Sequence, residues 1–98
     1  MIRHVATFRW KPDATDEQKR RVAAELAVLP GKVPGIEAYQ FGADAGLIGA
    51  GNADFALTAD FADAGAYLAY RTHPAHVEFI EQAINPILEQ RVSVQFEY

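Results

Sequence analysis

Residues 2–10 alternate strictly. Ile2, His4, Ala6, Phe8 and Trp10 fall on one side, and Arg3, Val5, Thr7 and Arg9 on the other. A period of two is the signature of a strand with two unlike faces. Slipping it by one residue would exchange every side chain between those faces, so the pairing register is strongly constrained. The pattern recurs twice. Phe55, Leu57, Ala59 and Phe61 alternate with Asp54, Ala56, Thr58 and Asp60, and Val92, Val94, Phe96 and Tyr98 alternate with Arg91, Ser93, Gln95 and Glu97. Three such strands require a sheet covered on at least one face.

The segments between them supply the cover. Lys11-Pro12-Asp13 ends the first strand. Thr15 followed by Gln18 is a capping-box pair. The helix it starts carries Val22, Leu26, Leu29 and Val33 on one stripe and is expected to stop near Leu29, before Pro30-Gly31. A second strand is expected at about 36–42, then a Gly- and Ala-rich hairpin loop at 43–52. Asp63 can cap a short helix bearing Tyr67, Leu68 and Tyr70. Pro74 fits the first position of a further helix, with His73 near its cap. Its apolar stripe runs through Val77, Ile80, Ile84 and Ile87, and Pro86 should interrupt it.

The order is β-α-β-β-α-β, the ferredoxin-like α+β plan: a four-stranded antiparallel sheet with its helices on one face. The apolar sides of the first, third and last strands are expected to meet the helices. Their other sides, with Thr7, Arg9, Thr58, Asp60, Ser93 and Gln95, face water or the interior of a dimeric barrel. Alternation does not decide between these.

At 98 residues the chain is expected to form one domain spanning 1–98. Half its residues are hydrophobic, enough for a single core. It has no cysteine, hence neither a disulfide nor a thiolate metal site. A domain this small without staples often gains stability by oligomerising. The formal charge of −4 and the scattered basic residues argue against nucleic-acid binding, since Lys19-Arg20-Arg21 lies among Asp16, Glu17 and Glu25. No apolar run approaches the ~20 residues of a membrane span. The strand pattern begins at Ile2 and leaves no room for a signal peptide, so the cytoplasm is the expected compartment.

Chemistry concentrates in Tyr70-Arg71-Thr72-His73-Pro74-Ala75-His76. His76 would be about the third residue of its helix, where the helix dipole disfavours imidazolium. A neutral imidazole suits a general base. Tyr70 could donate its phenolic proton to a developing enolate oxygen. His4 is the odd polar residue on an apolar strand face: either a hydrogen-bonded core histidine or the wall of a cavity between sheet and helices. For His73 the plain reading is a cap, and for Tyr70 a packing residue. No converging carboxylate accompanies the histidines, so no metal is expected. Gly46-Leu47-Ile48-Gly49-Ala50-Gly51 lacks dinucleotide spacing, Gly31-Lys32 is no P-loop, and Ser93 is remote in sequence from any histidine.

Four segments carry a resemblance to a known family: Ile2-Arg3-His4-Val5, Leu29-Pro30-Gly31-Lys32-Val33-Pro34-Gly35, Asp54-Phe55-Ala56-Leu57, and Tyr67 through His76 with its Tyr-x-x-His-Pro-x-His core. The chain resembles the stress-responsive α/β-barrel (Dabb) domain family across nearly its whole length. The resemblance implies a homodimer whose sheets close face to face, with Thr7, Arg9 and Thr58 inside. One branch of that family, which looks like olivetolic acid cyclase, closes a polyketide by a cofactor-free aldol reaction. Its catalytic tyrosine and histidine match Tyr70 and His76, and a cavity histidine on its first strand matches His4. On this basis His76 and Tyr70 are the expected catalytic pair, with His4, His73, Phe8, Leu26 and Leu57 lining the ligand site and no cofactor or metal. The aromatic residues on the first helix of that branch match Ala23 and Leu26 here, which implies a differently shaped pocket and a different substrate. Many members of the family have no established reaction. Two functions therefore stay open: cofactor-free chemistry on a carbonyl-bearing molecule, or a non-enzymatic stress-associated homodimer whose histidines only organise the helix junction.

Overall fold

The computed structural model describes all 98 residues. Strand β1 (Ile2–Trp10) is followed by helix α1 (Asp16–Val28) and a 3₁₀ turn at Leu29–Gly31. Strands β2 (Ile36–Ala43) and β3 (Phe55–Phe61) form a hairpin. Helices α2 (Ala64–Thr72) and α3 (Pro74–Phe79) come next, then strand β4 (Leu88–Glu97). The sheet is fully antiparallel in the order β2-β3-β1-β4. This is the expected ferredoxin-like architecture.

The local signals act as their chemistry dictates. The Thr15 side chain accepts from the Gln18 N–H at 3.1 Å, and the Gln18 side chain accepts from the Thr15 N–H at 2.9 Å, completing the capping box. The Asp63 carboxylate accepts from the Ala66 N–H at 2.8 Å and starts α2. A residue before proline is driven out of the helical region. His73 accordingly sits at φ −62°, ψ 134°, ending α2 and capping α3 together. Pro86 removes the N–H that would bond to the Gln82 carbonyl. The chain widens into a π turn at Ile80–Ile84 and tightens into a 3₁₀ turn at Asn85–Ile87, while Arg21 Nη1 donates to the freed Gln82 carbonyl at 3.3 Å.

The core lies between the helices and the sheet face bearing Ile2, Ala6, Phe8, Trp10, Phe55, Leu57, Ala59 and Phe61. Val22, Leu26, Leu29 and Val33 meet it from the α1 side, and Phe79, Ala83, Ile84 and Ile87 from the broken third helix. Three strands differ slightly from the sequence reading at their ends. Strand β2 extends one residue further, and β4 starts at Leu88 and stops at Glu97. Strand β3 starts at Phe55 because Asp54 turns to the loop, its carboxylate accepting from the Trp10 N–H at 2.8 Å.

The last strand requires a correction. Its apolar side does not meet the helices. The β1–β4 register pairs Val94 with Val5, Val92 with Thr7 and Phe96 with Arg3, which places all three on the open face of the sheet. Val92, Val94, Phe96 and Tyr98 are 58, 55, 43 and 56 % exposed. Conversely, Gln95 pairs with His4, Ser93 with Ala6 and Arg91 with Phe8, so these polar residues share the helix-side face. The principal helix contacts fall on β1, β2 and β3, and β4 lies at the sheet edge beyond β1. On the open face Arg3 makes a two-pronged ion pair with Asp60 at 2.7 and 2.8 Å and lies 4.6 Å from the Tyr98 ring centroid. The Arg3 hydrogen bond draws the Asp60 pKa down to about 2. Thr7, Arg9 and Thr58 share this face with the apolar stripe of β4.

Candidate functional site

Where the helical layer stops short of β4, a cavity of about 530 Å³ opens between sheet and helices. That is the size of a small-molecule site. His4, Phe8, Leu26, Leu57, Tyr70 and His76 all line it, residues drawn from β1, α1, β3, α2 and α3. A concavity of about 650 Å³ lies instead on the open face, near the β2–β3 loop, and contains no histidine or tyrosine.

His76 is placed by the α2–α3 junction. Its Nδ1 lies 3.0 Å from the Arg71 carbonyl oxygen. A carbonyl can only accept, so Nδ1 carries the proton and Nε2 is left as the basic nitrogen. The ring lies 4.3 Å from that of Tyr70, centroid to centroid. The His76 pKa is lowered chiefly by burial, with the Arg91, Arg71 and His73 charges adding to this and the Arg71 carbonyl opposing it. Burial penalises the charged imidazolium and so favours the neutral ring.

Tyr70 is 2 % exposed, and its hydroxyl lies 3.4 Å from that of Tyr39 on β2. Burial raises both phenol pKa values. Each hydroxyl therefore keeps its proton near neutral pH and remains a donor.

His4 is 9 % exposed and sits 5.1 Å from the Tyr67 ring and 6.4 Å from the Tyr70 ring. The Gln95 amide Nε2 donates to His4 Nδ1 at 2.9 Å. Burial, then the nearby His76 and Arg91, lowers the His4 pKa to about 4. His4 is both a hydrogen-bonded core histidine and a cavity wall.

His73 is the exception among the expected site residues. It does not line the cavity. Its Nδ1 accepts from the Ala75 N–H at 3.1 Å, a capping role forced by the proline that follows it. Ala23 is likewise absent from the cavity wall.

The sequence reading missed Arg91, Ser93 and Gln95, which line the cavity from β4, and Tyr67, which lines it from α2. The β4 residues were hidden because the apolar side of that strand was expected to face inward. Their signal was the pairing with β1, which sets Gln95 opposite His4. No three His, Asp or Glu side chains are grouped so as to hold a metal ion.

Fold and site together define a small ferredoxin-like α+β protein with a ligand-sized cavity flanked by a neutral histidine and a buried phenol. The chain belongs to the Stress responsive A/B Barrel Domain (Dabb) family, whose profile matches residues 2–98. It is similar to a dimeric ferredoxin-like protein of unknown function from Thermobifida fusca, with 43 % identity and a TM-score of 0.90 over 99 % of this chain and 90 % of that one. A Dabb family protein from Mesorhizobium loti shares 22 % identity at a TM-score of 0.82, over 99 % of this chain and 95 % of that one. A hydroxynitrile lyase from Passiflora edulis shares the fold at 21 % identity and a TM-score of 0.84, over 97 % of this chain and 90 % of its own. No protein among the curated ones matches the chain in sequence. No helix is long and apolar enough to cross a membrane.

Proposed function

We propose that this protein binds a small carbonyl-bearing, polyketide-like molecule in the cavity between sheet and helices and performs cofactor-free, aldol-type proton-transfer chemistry on it. His76 Nε2 is the general base and the Tyr70 hydroxyl the donor to the developing enolate oxygen. His4, Phe8, Leu26 and Leu57 shape the walls. The single observation that carries this reading is the bond from His76 Nδ1–H to the Arg71 carbonyl. It holds the base as the correct tautomer beside the phenol ring. Proton abstraction next to a carbonyl needs a neutral base and an oxyanion donor within reach of one atom. A protein described as a hydroxynitrile lyase has the same fold, so the architecture can host an enzyme.

The working unit in this proposal is a homodimer in the cytoplasm. The exposed stripe of Val92, Val94 and Phe96 on the open face is what a second copy would cover. The similar proteins described as dimeric support this.

The test is deuterium exchange at the methyl group of acetophenone, followed by NMR. Exchange catalysed by the protein and lost in His76→Ala, with the fold retained, is the expected result. Exchange at the buffer rate, or exchange unchanged in the variant, would sink the mechanism.

A second reading is favoured by the same bond and by the His73 cap: both histidines tie the α2–α3 junction together. If that is their whole purpose, the protein is a non-enzymatic homodimer. His76→Ala would then cost about 1 kcal/mol of stability, a cap's worth, and change no ligand response.

A further inference from the structure

The charged groups of the cavity are unbalanced. Its lining includes two cationic residues, Arg71 and Arg91, and one acidic residue, Glu81. The ion pairs of the chain are Arg3–Asp60 and Arg21–Glu25, so neither cavity arginine is neutralised. Arg91 is the better placed of the two. The register sets it opposite Phe8, a cavity-lining residue, and its charge acts on both His4 and His76, whereas that of Arg71 acts on His76 alone. Ser93 and Gln95 follow it on the same face. At ~3.4 Å per residue, the ladder from Arg91 to Gln95 spans roughly 14 Å. Its far end is the His4–Gln95 pair, a neutral polar contact. A ligand in the cavity would thus meet the Arg91 cation, whose charge reaches both His4 and His76, together with the neutral Gln95–His4 contact.

We infer that Arg91 is the anion-recognising residue of this cavity and that the ligand is a keto acid or another carbonyl compound bearing a carboxylate. This rests on the small-molecule reading above and narrows it to a substrate class. A guanidinium matches the two oxygens of a carboxylate with two parallel N–H donors. In a cavity open to water, such a charge-assisted pair favours the acid over a neutral isostere by about tenfold. Arg71 sits at the C-terminal turn of α2, where its own carbonyl is engaged by His76, and serves as the internal control.

The experiment compares levulinate with its neutral methyl ester on the full chain, by NMR titration of backbone amides. Wild type, Arg91→Gln, Arg91→Lys and Arg71→Gln are measured side by side. In the wild type, levulinate is expected to bind about tenfold tighter than the ester. Arg91→Gln should abolish that preference, the acid losing about tenfold more affinity than the ester. Arg91→Lys should keep part of the preference, and Arg71→Gln should keep all of it. Equal binding of acid and ester by the wild type would overturn the inference while leaving the small-molecule reading intact. So would loss of the preference in Arg71→Gln with its retention in Arg91→Gln. Binding of neither compound at millimolar concentration would overturn both.

Discussion

His4 offers a sharp test of the cavity because its protonation is linked to folding. In the unfolded chain its imidazole titrates near the ordinary 6.5, and in the folded chain at about 4. Above pH 6.5 the ring is neutral in both states, and the full stability is present. As the pH falls from 6.5 towards 4, the unfolded chain takes up a proton that the folded chain refuses, and stability is lost. The ceiling follows from the shift itself: at about 1.4 kcal/mol per tenfold, a depression from 6.5 to about 4 costs at most about 3.5 kcal/mol. Water at the cavity mouth screens part of this, so the expected loss is about 1–2 kcal/mol. The assay is urea denaturation of wild type and His4→Gln at pH 7.5, 5.5 and 4.5 (roughly, values chosen to bracket the window). The stability difference between the two proteins should move by about 1–2 kcal/mol in favour of the variant as the pH falls. The other ionisable groups are common to both proteins, so the difference between the two isolates His4 and its coupling to His76. A difference that stays flat across the range would refute burial of His4 beside the cavity.

Leu26 is 1 % exposed and also lines the cavity, so Leu26→Ala should lower the unfolding free energy by about 2–4 kcal/mol in denaturant melts and weaken ligand binding as the wall recedes. Val94 is 55 % exposed in the single chain, at the middle of the open-face stripe. Val94→Asp should shift the mass measured by light scattering from dimer to monomer, and an unchanged dimer would place the interface elsewhere. Tyr39→Phe removes the hydroxyl 3.4 Å from that of Tyr70 and should cost about 1 kcal/mol in the same melts.

Much of the fold was legible because its signals are local. The alternation in β1 and β3 placed His4 and Leu57 on the buried face. Thr15 with Gln18, Asp63, and His73 before Pro74 each marked a helix end whose geometry depends on a few neighbouring atoms. The convergence of Tyr70 and His76 was legible for the same reason, since both flank one proline-set junction.

What could not be read was the orientation of β4. Its alternation is as clear as that of β1, but a period of two shows only that the faces differ. The pairing of Val94 with Val5 and of Gln95 with His4 turns the apolar side outward and leaves Arg91, Ser93 and Gln95 to the cavity. The plain reading of His73 as a cap is what the geometry shows, and only its place among the ligand-site residues fails. It lies beside the site in sequence, but the extended backbone that Pro74 imposes commits its ring to the Ala75 N–H. The Tyr39–Tyr70 contact joins residues 31 positions apart and needed the sheet order to be seen.

The measurement to make first is a long-range proton–nitrogen correlation spectrum of the His76 imidazole, recorded across pH and repeated with acetophenone present. A ring protonated at Nδ1 alone at neutral pH, titrating below 6.5 and shifting when the ketone is added, is the expected result. A ring that carries its proton on Nε2, or that titrates normally and does not respond to the ketone, would contradict the assignment of His76 as the base of an accessible cavity.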